Sequence, residues 1–145
     1  MSITVTPAPF EPWETLRAHE LQLARRAKVG ACAVFVGTMR DINEGDGVRA
    51  MTLEHYPGMT ERHLERIAAE AKARWSLEDV LVVHRVGEVT PADPIVLVAV
   101  WSGHRREAFE ACRFIMEDLK SKAPFWKKEQ LDTQARWVEH NTPGH

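Results

Sequence analysis

VLVVHRVGEVTPADPIVLVAVW, Val80 to Trp101, decides the fold. Two apolar runs, Val80 to Val89 and Ile95 to Trp101, flank Pro91-Ala92-Asp93-Pro94, a turn sequence, so they read as the two arms of a β-hairpin. Gly87 interrupts the first arm, as a bulge would. Helices bracket this hairpin. From Thr60 as N-cap, Leu64, Ile67, Ala68, Ala71 and Trp75 recur at the spacing of one buried helix face. After the hairpin a further helix starts near Ser102 or Gly103 and buries Phe109, Cys112, Met116 and Leu119. It stops by Lys122, because Ala123 precedes Pro124 and is biased out of the helical region.

Farther out, Ala31 to Val36 is a continuous apolar run that suits a strand buried on both faces. Thr38 to Gly47 reads as a functional or mobile loop without periodicity. Val48 to Tyr56 alternates as a strand and closes at Pro57-Gly58. Glu14 to Ala27 suits a short helix with Leu16, Leu23 and Ala24 on one side, and Arg136 to Glu139 a short edge strand. Strands and helices interleave, so the class is α+β, with a mixed or antiparallel sheet and three main helices. The length of 145 residues predicts a single domain, with flexible ends at 1–12 and 140–145.

A net charge of -2 argues against a nucleic-acid binder, whose footprint is strong basicity. An anionic ligand therefore has to be met by a local cluster. Cys32 and Cys112 lie in apolar runs without a CxxC or a histidine at ligand spacing, and read as core hydrophobes. No leader or membrane span is legible, which predicts a cytosolic protein. Metal-ligand spacing, phosphate-binding glycine motifs and a GxSxG elbow are also missing, so no metal and no cofactor is expected.

Two cationic clusters stand out. SGHRRE puts His104, Arg105 and Arg106 at a helix start, where cations cost roughly 0.3–1 kcal/mol each against the dipole. Free backbone N–H groups and two guanidinium groups make an anion site there; alternatively Arg106 pairs with Glu110. In KSKAPFWKKE, Lys120 to Glu129, four lysines surround Ala-Pro-Phe-Trp. If Pro124 reverses the chain and Phe125 and Trp126 tuck into the core, Lys127 and Lys128 fold back towards Lys120. Burial and like charge would then lower a lysine from about 10.4 towards the 7–8 that acid–base or nucleophilic work prefers. The alternative is four solvated lysines with their stems on Trp126. Arg40 opens the glycine-containing loop and is either a ligand contact or the partner of Asp41 or Asp46. His84-Arg85 and His55, within strands, read as structural.

The segments VGTMRDINEGDGV (36–48), MTLEHYPGMTE (51–61), VVHRVGEV (82–89), the run from Ser102 to Glu129 and RWVE (136–139) closely resemble, in order and spacing, the catalytic (large) subunit of molybdopterin synthase, the MoaE family. The likeness covers about Gly30 to Glu139. It implies the α/β-hammerhead fold and a sulfurtransferase. The substrate would be cyclic pyranopterin monophosphate, and the sulfur donor the C-terminal thiocarboxylate of a small ubiquitin-like carrier subunit. The assembly would be a homodimer with a carrier at each end, a heterotetramer. Such a donor also removes the need for a cysteine nucleophile. Carried over position by position, Lys120 and Lys127 match the essential lysines. His104 and Arg105 match a substrate-binding pair, Thr38, Met39 and Arg40 a loop near the pterin phosphate, and Lys128 and Glu129 the segment after Lys127. Arg136 would contribute across the dimer. The rival from another class is a non-enzymatic regulatory module that binds a phosphorylated small molecule at His104-Arg105.

Overall fold

The computed structural model describes residues 1–43, 45–131 and 135–138. In chain order the elements are β1 (Ser2–Thr6), α1 (Pro12–Glu20), a 3-10 turn (Arg26–Lys28), β2 (Ala31–Thr38), β3 (Ile42–Asn43), β4 (Asp46–His55), α2 (Met59–Trp75), β5 (Asp79–Arg85), β6 (Gly87–Val89), β7 (Pro94–Ser102), α3 (Arg105–Ser121), β8 (Phe125–Leu131) and β9 (Ala135–Trp137). The class is α+β, with three α-helices among the described residues. The expected edge strand at Arg136 appears as β9, while Glu139 and the expected flexible tail at 140–145 lie outside the described residues.

β5 and β7 pair antiparallel, Val82 opposite Val98, at the centre of a four-stranded sheet of order β1-β5-β7-β2. Their alternate side chains feed two cores. Val80, Val82, Val96, Val98 and Val100 pack under α2 and α3; Leu81, Val83, Leu97, Ala99 and Trp101 pack under the N-terminal segment with Phe10, Leu16 and Leu23. Burying each such aliphatic side chain is worth about 1.5–3 kcal/mol, so this double-sided pair dominates the burial energy. The first arm of the hairpin is not one strand with a bulge. At Gly87, with φ of 86°, the chain leaves the first sheet, and β6 pairs with β4 in a second sheet of order β3-β4-β8-β9. A positive φ that glycine adopts at no steric cost makes this switch possible. The second sheet closes a smaller core of Met39, Val48, Met51, Leu53, Val89 and Leu131.

Other differences have local causes. Residues 2–6, read as part of a flexible end, form β1 parallel to β5, and the Met1 ammonium pairs with Asp79. β2 is an edge strand, paired among the described residues with β7 alone, and not one buried throughout: Ala33, Val34 and Val36 pack into the two cores while Cys32 and Phe35 are exposed. Cys112 is buried, as expected. Phe109 is 68% exposed, because the inner face of α3 centres on Ala108, Ala111, Cys112, Ile115, Met116 and Leu119 and turns Phe109 outward. α1 ends at Glu20, short of the expected Ala27, and Pro12 in its first turn fits its start. The N-cap of α2 is Gly58 rather than Thr60. Inside the loop expected at Thr38 to Gly47, β3 pairs with the start of β4. Among the described residues, no helix is long and apolar enough to cross a membrane.

Candidate active site

The lysine-rich segment is shaped by what happens after α3. The helix stops at Ser121, and the N–H groups of Lys122 and Ala123 both donate to the Asp118 carbonyl. The Asp118 carboxylate is itself buried, 2.7 Å from His63 Nε2, which ties α2 to the last turns of α3. Pro124 then reverses the chain. Its carbonyl accepts a hydrogen bond from the Thr60 hydroxyl at 3.1 Å, while the Thr60 oxygen accepts from the Tyr56 N–H at 3.1 Å. Thr60 is completely buried, so one hydroxyl clamps the YPGM turn to the APFW reversal.

From Phe125 the chain is a strand, and a strand sends successive side chains to opposite faces. Phe125, Lys127, Glu129 and Leu131 share the inner face. Trp126, Lys128 and Gln130 take the other. Phe125 stacks on His84 with ring centroids 3.9 Å apart, and packs against the main core. Trp126 does not tuck into the core; it is 40% exposed and meets Tyr56 edge-on. Lys128 does not fold back towards Lys120 either. It is exposed, with its ammonium 5.7 Å from the Trp137 ring.

Lys120, from the last turn of α3, and Lys127, from β8, meet in one small cavity with Thr38, His84, Val96, Met116 and Phe125. The two amines are hydrogen-bonded to each other. Burial, reinforced by the Lys120 charge, pushes Lys127 down to about 8. Lys120 is also lowered, by burial first and then by Arg40. The cavity is about 50 Å³. Sites that enclose a whole small molecule run to roughly 300–1,000 Å³. The cavity is therefore too small to enclose a whole small molecule.

The remaining expected residues divide. Thr38 lines the cavity, and Arg40 is exposed nearby, close enough for its charge to reach both lysines. The side chain of Asp46, its alternative partner, lies outside what is described. Met39 faces away: its side chain is buried in the second core, its N–H donates to the Asp93 carbonyl, and its own carbonyl accepts from Ala92. It anchors the segment that carries Arg40. Glu129 is buried beside Lys127 on the inner face and pairs at 3.0 Å with Arg136 of the same chain. His104 and Arg105 are exposed at the start of α3, roughly 24 Å along the helix axis from Lys120. Within one chain they do not face the lysines. Arg106 pairs with Glu110 at 3.1 Å, the structural alternative for that residue, and His55 lies 3.9 Å from Glu61, in keeping with its structural reading.

A family model described as MoaE protein matches residues 6–122. The chain belongs to the MoaE family. A molybdopterin synthase catalytic subunit of Ralstonia nicotianae is 63% identical over 116 residues, 80% of this chain and 66% of that protein. One from Salmonella typhimurium is 52% identical over 137 residues, 94% of this chain and 89% of that one. Among solved structures, the MoaE protein of Burkholderia ambifaria aligns with a TM-score of 0.77 at 50% identity, covering 94% of this chain and 88% of that one. Molybdopterin synthase from Staphylococcus aureus aligns at 0.83 and 30% identity, covering 94% and 96%. This MoaE chain is thus an enzyme component of molybdopterin biosynthesis.

Two residues that shape the lysine cavity are not legible as such from the sequence. Thr60 reads as a helix cap, because nothing local says that its hydroxyl reaches Pro124. His84 reads as a structural residue, yet it lines the lysine cavity. Its signal was a polar residue inside an otherwise apolar strand, which calls for a partner without naming one.

Proposed function

We propose that this chain is the sulfur-transferring subunit of a molybdopterin synthase. It takes sulfur from the C-terminal thiocarboxylate of a small ubiquitin-like carrier and delivers it, in two transfers, to cyclic pyranopterin monophosphate. The observation that carries this reading is the pair of half-buried, hydrogen-bonded amines, one of them held at about 8. Such an amine is neutral in roughly one molecule in ten at pH 7, against one in a few thousand for a free lysine. Lys127 then serves as acid–base group or transient covalent partner, and Lys120 stabilises acyl and phosphate charge. The donor sulfur is already a nucleophile, in keeping with the buried Cys112, whose thiol burial pushes up to about 11.

Part of the remaining substrate site comes from other chains. A 50 Å³ cavity takes the end of a carrier tail and the reacting edge of a pterin, not the whole of either. His104 and Arg105 can meet the lysines only from a second copy, which fits a homodimer carrying a carrier at each outer end. Arg40 extends the positive field at the mouth, where the substrate phosphate would lie. Thr38, Lys128, Glu129 and Arg136 complete the proposed contacts, Lys128 and Arg136 towards neighbouring chains. The compartment that goes with this reading is the cytosol.

Mixing the purified chain with thiocarboxylated carrier and cyclic pyranopterin monophosphate should yield molybdopterin. Unchanged substrate, with the chain folded and the carrier bound, would sink the reading. A regulatory module sensing a phosphorylated molecule at the start of α3 would leave the lysine cavity without a purpose. Tight nucleotide binding without turnover would favour it.

A further inference from the structure

His84 sits on β5, with its residue 7% exposed, and forms one wall of the cavity that holds Lys120 and Lys127. Its Nδ1 lies 2.8 Å from the Arg85 carbonyl oxygen. An oxygen of that kind only accepts, so Nδ1 carries the proton and donates. In the neutral ring, Nε2 is then a bare lone pair. Among the described residues it has no hydrogen-bond partner. The ring cannot turn freely, since Phe125 stacks on it at 3.9 Å with planes 16° apart. A fixed acceptor is therefore built into a cavity whose other polar groups are two amines and the Thr38 side chain.

We infer that His84 is a positioning residue for Lys127, presenting Nε2 as a fixed acceptor that holds an amine hydrogen through one water, and so tunes and orients the transferring amine. Neutrality is essential to this role. Burial and the charges of Lys120 and Lys127 keep the imidazole unprotonated, at about 4, and His55 adds to the effect from β4. Lys127 itself is faced by Lys120 from α3, Arg40 from the segment after β2, Glu129 from its own strand and His84 from β5. Of these, Glu129 favours its charged form and the two cations oppose it. An acceptor lone pair acts with Glu129, because a hydrogen bond to the charged form raises a lysine.

The inference rests on the lysine reading above, but its first test needs no substrate. Lys127 is titrated in the full-length chain by the NMR signal of its ε-carbon, in the parent and in His84→Phe, which keeps ring volume and stacking while removing the lone pair. The midpoint is expected to fall by roughly half a pH unit or more. His84→Gln, which restores an acceptor oxygen near the Nε2 position, should bring it back. Should His84→Phe not fold, His84→Leu, which fills much of the same apolar space and has no acceptor, is read the same way. In the reconstituted transfer reaction, read above pH 8 where the neutral fraction of Lys127 no longer limits the rate, kcat should fall about tenfold with unchanged carrier affinity, again recovered by His84→Gln. An unchanged Lys127 midpoint in the folded variants overturns the inference, as does a kcat loss that tracks only lost thermal stability. A shifted midpoint in a chain that shows no sulfur transfer would uphold the His84 role and remove the functional reading instead.

Discussion

Lys127 and Lys128 are neighbours in sequence and opposites in chemistry. Lys127 lies on the inner face of β8, half-buried against a second amine and lowered to about 8. Lys128 lies on the outer face, exposed, beside the Trp137 ring. The same residue type, one position apart, is a tuned amine in one case and a surface charge in the other. What separates them is the two-residue period of a strand that starts immediately after Pro124. A helix continued through this stretch would have put the two residues about 100° apart on one surface and buried neither so selectively. Proline and the Thr60 clamp therefore matter to the chemistry because they set where that alternation begins.

The sharpest way to break the contrast is to remove each amine. Lys127→Ala should lower kcat of sulfur transfer by about 100-fold or more, while Lys128→Ala should stay within about threefold; equal losses would refute the division of faces. Lys127→Arg sharpens the point. A guanidinium cannot give up its proton, so a variant that keeps the charge but still fails shows that the neutral amine is used. Full activity in Lys127→Arg would make Lys127 a charge only.

The pH dependence comes next. If the neutral amine reacts, kcat should rise about tenfold per pH unit below 8 and level off above it, and a flat profile from pH 6 to 9 would contradict this. Stability has its own sign. The folded value of Lys127 lies below the unfolded one, so between about 8 and 10.4 the unfolded chain binds a proton that the folded chain lacks. Stability from this group rises with pH across that window. Lys127→Met should remove the rise and be the more stable protein at pH 7, which urea denaturation at pH 7 and pH 10 would measure. A smaller effect is expected at the clamp. Thr60→Val should cost about 1–3 kcal/mol by leaving the Tyr56 N–H and the Pro124 carbonyl unpaired, with Thr60→Ser close to the parent. Smallest of all, Lys128→Ala should change the unfolding free energy by less than about 0.5–1 kcal/mol.

Local pattern was enough for most elements. The apolar arms of Val80 to Trp101 predicted paired central strands, and the periodicity of Leu64, Ile67, Ala68 and Ala71 predicted α2, because burial on a regular element leaves a regular spacing. Errors came where the decision is not local. Gly87 reads as a bulge in any strand, but its real task is to hand the chain to a second sheet, which depends on β4 lying alongside. Phe109 fits a helical stripe on paper; only the position of the sheet under α3 decides that Ala108 and Ala111 face inward instead. For β1, five residues gain their order from a partner nearly eighty positions away.

The site divides along the same line. Residue type and order marked the His104-Arg105 pair and the lysine-rich run 120–129 as anomalies, since cations set against a helix dipole or crowded around apolar residues stand out along the chain. The resemblance to the MoaE family, not the pattern, pointed to Lys120 and Lys127 within that run and to Arg40. Their grouping was not legible. Nearly the whole of the 17-residue α3 separates His104 from Lys120, and one strand step separates Lys127 from Lys128. The depression of Lys127 and the recruitment of His84 arise from desolvation and through-space charge. Those act over distances that folding sets and that sequence separation does not measure.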